Sequence, residues 1–247
     1  MQVKRILISQ KTPLNEAPFT SLEETYGVKV EFKPFFTIQP LSSMEFRMQR
    51  VSLGDFTAIV FSSRHAIDAF FKLCEELRVA VPQTMKYFCT TEAVAMYLQK
   101  HIIFRKRKIF YGDGSPASVL ELIKGKHSGE KFLVTQTADT DGSALTALMD
   151  AQKLDYTAAA LIKSVPEDLK GLDLKGFDLI IFYNPADVKS LYENFPGFQQ
   201  EGLRIAAYGK SIVKAMEEAG LEIEFKAPTP QAPSVAKALE LYLKKLA

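Results

Sequence analysis

Two stretches of the chain repeat each other about half its length apart, and this constrains the fold more than any other feature of the sequence. Asp55-Phe-Thr-Ala-Ile-Val-Phe-Ser-Ser-Arg-His-Ala-Ile resembles Phe177-Asp-Leu-Ile-Ile-Phe-Tyr-Asn-Pro-Ala-Asp-Val, with Phe61 falling on Phe182 at an offset of 121. Tyr87-Phe-Cys-Thr-Thr-Glu-Ala-Val-Ala matches Ala207-Tyr-Gly-Lys-Ser-Ile-Val-Lys-Ala, with Cys89 on Gly209 at an offset of 120. Two unlike motifs sharing nearly one offset in 247 residues read as two copies of one domain. Each copy is long enough to bury a core of its own.

Short apolar runs alternate with amphipathic segments, the pattern of parallel sheets covered by helices on both faces. Strands are expected at Arg5–Ser9, Val28–Phe32, Ala58–Phe61, Lys86–Cys89, Lys108–Tyr111, Phe132–Thr135, Leu179–Phe182, Arg204–Tyr208 and Glu222–Lys226. From Arg64, the spacing of Ile67, Phe70, Phe71, Cys74 and Leu77 predicts a helix with one buried face. Ile212, Ala215, Met216 and Ala219 predict another, which Gly220 stops. Ser234 is positioned to cap a last helix that turns Val235, Leu239, Tyr242 and Leu246 inward.

In both copies the chain leaves a buried strand and at once presents small polar residues before a helix. These are Ser62-Ser63-Arg64-His65 and Thr90-Thr91-Glu92 in one copy, Tyr183-Asn184-Pro185 and Lys210-Ser211 in the other. Carboxyl ends of strands are where open α/β sheets bind ligands. The first N–H groups of the following helix favour anions there. Taken singly, such residues simply cap helices; as matched turns in two copies they also suggest a shared anion-binding cleft.

The remaining motifs exclude more than they assign. The net charge is +2, which argues against nucleic acid as a partner. Arg105-Lys-Arg-Lys108 is the only basic run. It reads as a solvated approach to the next strand, or as the rim of the cleft. Gly112-Asp-Gly-Ser-Pro-Ala-Ser118 lacks the ending of a phosphate loop and reads as a turn. Gly142-Ser143, after Thr140-Asp141, reads as a turn or helix start. His65, His101 and His127 have no metal-ligand spacing and read as surface or supporting residues. Cys74 and Cys89 are expected to be buried, reduced thiols. No stretch approaches the ~20 apolar residues that cross a bilayer, and nothing near Met1 reads as a signal peptide. The protein is therefore expected in the cytoplasm, away from membranes.

The repeat, with Lys86-Tyr-Phe-Cys, Tyr97-Leu-Gln-Lys, Arg105-Lys-Arg-Lys-Ile-Phe-Tyr-Gly and Ala227-Pro-Thr-Pro-Gln-Ala-Pro-Ser234, resembles the bacterial uroporphyrinogen-III synthases over essentially the whole chain. The resemblance implies two similar doubly wound, flavodoxin-like α/β domains with parallel sheets, one from residues 1–33 plus 166–247 and the other from 40–160. A two-stranded linker at 34–39 and 161–165 would join them and let them hinge. It implies a monomeric lyase, without cofactor or metal, that converts hydroxymethylbilane to uroporphyrinogen III. The hydroxyl leaves ring A, ring D attacks through its substituted α-carbon, and the spiro intermediate re-closes with ring D inverted. The substrate would be a linear tetrapyrrole octacarboxylate. By position, the implied contacts are Ser63, Arg64, His65, Thr90, Thr91 and Glu92 in one copy, and Asn184, Arg204, Gly209, Lys210 and Ser211 in the other.

The chain departs from the family pattern at several places. A tyrosine usual on the second linker strand, associated with departure of the hydroxyl, is Ile162 here. No catalytic residue is therefore assigned, and Tyr183 is the candidate phenol. Asn184-Pro185 replaces a Ser-Pro, Gly209-Lys-Ser-Ile212 replaces Gly-Pro-Thr-Thr, Cys89 replaces a glycine, and Glu92 stands where threonine is common. These departures keep a second reading open, a non-catalytic paralogue binding a tetrapyrrole or a protein partner. A third, a flavodoxin-like cofactor binder, lacks its phosphate loop.

Overall fold

The computed structural model describes residues 3–140 and 142–246. Met1, Gln2, Ala247 and Asp141, the last in the turn expected before Ser143, lie outside the described residues. Two compact units are present. Residues through Thr37, together with those from Val165 onward, form the first, and Ile38–Ser164 form the second.

The strands are β1 (Arg5–Ile8), β2 (Lys29–Phe32), β3 (Phe36–Pro40), β4 (Ala58–Phe61), β5 (Lys86–Cys89), β6 (Ile109–Tyr111), β7 (Phe132–Thr137), β8 (Tyr156–Pro166), β9 (Leu179–Phe182), β10 (Arg204–Tyr208) and β11 (Ile223–Ala227). The helices are α1 (Ala17–Tyr26), α2 (Ser43–Arg47), α3 (Arg64–Glu76), α4 (Glu92–Tyr97), α5 (Pro116–Ile123), α6 (Ala144–Ala151), α7 (Pro185–Asn194), α8 (Lys210–Glu218) and α9 (Val235–Leu246). Every expected strand is present, its ends within about two residues of the expected ones. The expected fold class holds: both units are doubly wound α/β.

The first unit carries a parallel sheet in the order β11-β10-β9-β1-β2. Numbered within the unit, that is the 2-1-3-4-5 order of flavodoxin-like sheets, with the switch point between β1 and β9. The second sheet runs β3-β8-β7-β4-β5-β6, parallel from β8 to β6. It has the same order if β7 and β8 count as its first two strands. The second unit is thus a circular permutation of the first. The divisions between units fall inside β3 and β8. β8 is longer than the expected linker segment, because its first half is a sheet strand paired with β7.

The repeat extends to packing. In β4, Ile59 and Phe61 face a core with α3 and α4, while Ala58 and Val60 face one with α5 and α6. In β9, Ile180 and Phe182 face α7 and α8, while Leu179 and Ile181 face α1 and α9. Strand side chains alternate between faces, so continuous apolar runs give a core on each side. Phe61 and Phe182 are both fully buried; truncating such rings to alanine costs about 3–5 kcal/mol.

Helix ends follow their local sequence. Gly220 sits at φ +71 after α8, its N–H donating to Glu217 O while Leu221 N–H reaches back to Met216 O. This glycine-terminated end lets Leu221 pack beside Met216. On α9 the buried stripe is Val235, Ala238, Leu239 and Leu243, not the expected set: Tyr242 is only partly buried and Leu246 is exposed. Phe71 on α3 and Leu77 just beyond it are likewise only partly buried. Cys74 and Cys89 are free and buried. Among the described residues no helix is long and apolar enough to cross a membrane.

Candidate functional site

In the second unit, three turns gather at the carboxyl ends of adjacent strands. After β4, Ser63 caps α3, its hydroxyl oxygen accepting from Ala66 N–H at 3.2 Å. After β5, Thr91 caps α4 by accepting from Val94 N–H at 3.3 Å. After β6, Ser115 caps α5 by accepting from Ser118 N–H at 3.2 Å. Thr90 ties the first two turns, its N–H donating to Phe61 O and its hydroxyl to Ser62 O. Gly114 N–H donates to Thr90 O at 2.8 Å and ties the third. Arg64, His65 and Glu92 are exposed beside these caps.

The first unit repeats the arrangement. Asn184 caps α7, its side-chain oxygen accepting from Ala186 N–H at 3.0 Å. Gly209 occupies the cap of α8 at φ +125. Ser234 accepts from Lys237 N–H at 3.2 Å at the start of α9. Because Gly209 has no side chain, the first N–H groups of α8 have no cap acceptor of that kind and are suited to an anion. Lys210 and Ser211 are exposed there. A Cβ on Gly209 would lie 3.7 Å from Tyr183 O, so the β9 and β10 turns are neighbours.

The caps correct the register of the repeat. Ser63 matches Asn184 at the expected offset of 121, but Thr91 matches Gly209 at 118 rather than 120. The cause is α7, which has 10 residues against the 13 of α3. Strand pairing agrees, setting Phe61 beside Cys89 and Phe182 beside Ala207. Glu92 and Lys210 therefore open equivalent helices with opposite charges.

Arg204, grouped with these residues by sequence, and the basic run do not share the turns. Arg204 is the first residue of β10, roughly 16 Å of strand away from Gly209 at ~3.3 Å per residue. There its guanidinium donates to the Tyr242 hydroxyl at 3.1 Å. The basic run from Arg105 likewise precedes β6, at the end of the sheet opposite the turns, so it approaches a strand and does not line them. Ile162 is buried in β8 among apolar neighbours. Tyr183 is partly buried, its ring 5.0 Å from that of Tyr208. Burial pushes its phenol well above the usual range.

Sequence reasoning missed a buried pair at the switch point of the first unit. The Asp187 carboxylate accepts through one oxygen from Ser9 hydroxyl (2.8 Å), Tyr183 N–H (2.8 Å) and Asn184 N–H (3.0 Å). Asn184-Pro-Ala-Asp187 is a capping-box spacing, and that was the signal available. The equivalent place in the second unit is Ala66. His127, expected as a surface or supporting residue, is buried against Phe88 and Phe110.

The turns of each unit present backbone N–H groups, hydroxyls and exposed cations, groups that suit anions. The family model for uroporphyrinogen-III synthase HemD matches residues 18–237. Among solved structures the chain is similar to a mutant uroporphyrinogen III synthase from the extreme thermophile Thermus thermophilus, at 18% identity and a TM-score of 0.54, covering 98% of this chain and 99% of that one. It is also similar to the uroporphyrinogen-III synthetase of Helicobacter pylori, at 16% identity and a TM-score of 0.59, with coverage of 98% and 99%. Among curated proteins the chain has no match. At these identities the structural likeness speaks for the fold, while the family model spans most of the sequence. The chain belongs to the uroporphyrinogen-III synthase HemD family.

Proposed function

We propose that the protein is a uroporphyrinogen-III synthase, a lyase that closes hydroxymethylbilane with inversion of ring D. The observation that carries this reading is the set of matched helix caps, Ser63 with Asn184, Thr91 with Gly209 and Ser115 with Ser234, in a member of this family. Each turn offers hydrogen-bond donors of the kind an octacarboxylate chain needs.

The chemistry asks mainly for conformation. The ring A hydroxyl leaves as water with a proton, giving an azafulvene. The substituted α-carbon of ring D attacks it and forms the spiro intermediate. The bond from that carbon to the ring C bridge then breaks, and the bridge carbon re-forms its bond at the free α-carbon of ring D, which loses its proton. Electron-rich pyrroles drive these steps once the chain ends are held in place. In this reading the candidate holders of carboxylates are Ser63, Thr90 and Thr91 with Arg64 in the second unit, and Ser211 and the open N–H groups of α8 with Lys210 in the first. Tyr183 is the candidate donor to the departing hydroxyl.

A second reading, a non-catalytic relative that binds a tetrapyrrole, is favoured by one observation: Ile162 is a buried aliphatic residue where the family's phenol is usual. Incubation with freshly generated hydroxymethylbilane, oxidation and separation of the porphyrin isomers decides between them. Excess type III isomer supports the synthase; type I alone supports the non-catalytic relative.

A further inference from the structure

A cluster on α3 and α4 leaves one cation without a carboxylate partner among the described residues. Arg64 and Asp68 are four residues apart on α3, a spacing at which opposite charges ordinarily pair. Here they do not. Asp68 accepts from the Tyr97 hydroxyl at 2.8 Å through one oxygen, and from His101 Nε2 at 2.8 Å and Lys100 Nζ at 3.3 Å through the other. Lys100 Nζ also donates to the Tyr97 hydroxyl at 3.0 Å. The His101 ring is stacked on Phe71 at 4.5 Å, which fixes its side of the cluster. These donors hold the carboxyl below its ordinary value against the opposing effect of burial.

Arg64 is left lying over the face of the Tyr97 ring, its guanidinium carbon 5.5 Å from the ring centre. That contact orients the guanidinium without using its hydrogen-bond donors. Arg64 opens α3 directly after the Ser63 cap, among the turns described above. Its donors are available to an anion, and the ring beneath restricts where they point.

We propose that Tyr97, fixed by Asp68, is a positioning residue that holds Arg64 to receive a substrate carboxylate. This rests on the synthase reading and deepens it: Asp68 is withheld from Arg64 by its other partners, and Tyr97 provides the platform.

The test is a double-mutant cycle between Arg64→Ala and Tyr97→Leu, with Tyr97→Phe as a variant that keeps the ring. KM and kcat are measured for type III formation. Kd for uroporphyrin I, a cyclic octacarboxylate, is measured by fluorescence. Tyr97→Leu is expected to raise KM and Kd about two- to fivefold, the range of an exposed cation–π contact, with the loss confined to KM. Tyr97→Phe should recover most of that loss. In the Arg64→Ala background Tyr97→Leu should change neither constant further. An equal effect of Tyr97→Leu in both backgrounds, or no effect of Arg64→Ala on either constant, overturns the proposal while leaving type III synthesis by the wild type intact. Absence of type III product from the wild type overturns the synthase reading instead, and the uroporphyrin I cycle then still decides the role of Tyr97. Failure of the wild type to bind uroporphyrin I, together with an unchanged KM in the variants, overturns it as well.

Discussion

The hydroxyl of Ser9, one residue beyond β1, donates a 2.8 Å hydrogen bond to the buried carboxylate of Asp187 on α7. The bond joins the two strands flanking the switch point of the first unit, and the same oxygen holds the Tyr183–Asn184 turn. The other oxygen, Oδ1, is buried without a hydrogen-bond partner among the described residues. Burial pushes the carboxyl up from 3.8 to about 6, against the lowering effect of its hydrogen bonds. The folded state therefore keeps a proton that the unfolded chain has already lost between those values. Stability from this group is fully present below pH 3.8 and is lost as pH rises to about 6. A shift of about two units corresponds to roughly 3 kcal/mol. Asp187→Asn should remove this dependence. In urea titrations, the stability of wild type minus that of the variant should fall by roughly 2 kcal/mol between pH 4 and pH 7. An equal difference at both pH values would show that Asp187 does not titrate this way.

The α8 cap depends on a backbone conformation that side chains resist. Gly209 has φ +125, while the nearest atom to an added Cβ is at an ordinary 3.7 Å. Strain rather than crowding should therefore set the cost of Gly209→Ala, about 1–3 kcal/mol. A loss of thermal stability of that size, with KM raised, is the expected result. An alanine variant as stable as wild type would mean that the turn adopts another backbone.

Lys210 and Glu92 stand at equivalent helix starts with opposite charges. If both face substrate carboxylates, Lys210→Ala should raise KM and Glu92→Gln should lower it. Each change should be up to about fivefold, as for exposed charge pairs, and should shrink with added salt. Steady-state kinetics at two ionic strengths measures this. A KM indifferent to both substitutions removes these residues from the site.

Much of the fold was legible because full burial on both faces demands continuous apolar runs, and Ala58–Phe61 and Leu179–Phe182 are such runs. The offset of 121 was legible for the same reason. The second offset was misread by two residues because helix length is written weakly in sequence: the three residues by which α7 falls short of α3 leave no local mark. Caps such as Ser63, Thr91 and Asn184 were readable, since each follows its strand at once. Arg204 was not, because a cation beginning a strand and one ending it look alike until strand direction is known. The Ser9–Asp187 and Tyr97–Asp68 bonds join residues 178 and 29 positions apart, and no local pattern encodes such pairings.

Cys74 and Cys89 supply a check on the core that packs the second unit's sheet against α3 and α4. Burial pushes both thiols up to about 12, so neither carries appreciable thiolate near neutrality. Both should resist a disulfide reagent at pH 8 in the folded protein and react promptly in denaturant. Rapid reaction of either thiol in the native state would mean that its core is open.

On the synthase reading, this chain directs ring closure. The most direct measurement of this is the ratio of type III to type I uroporphyrinogen formed from fresh hydroxymethylbilane as folded protein is increased. The synthase reading expects type III to rise with protein until it dominates, with the spontaneous type I suppressed. A product that stays type I at every concentration of folded protein would contradict it.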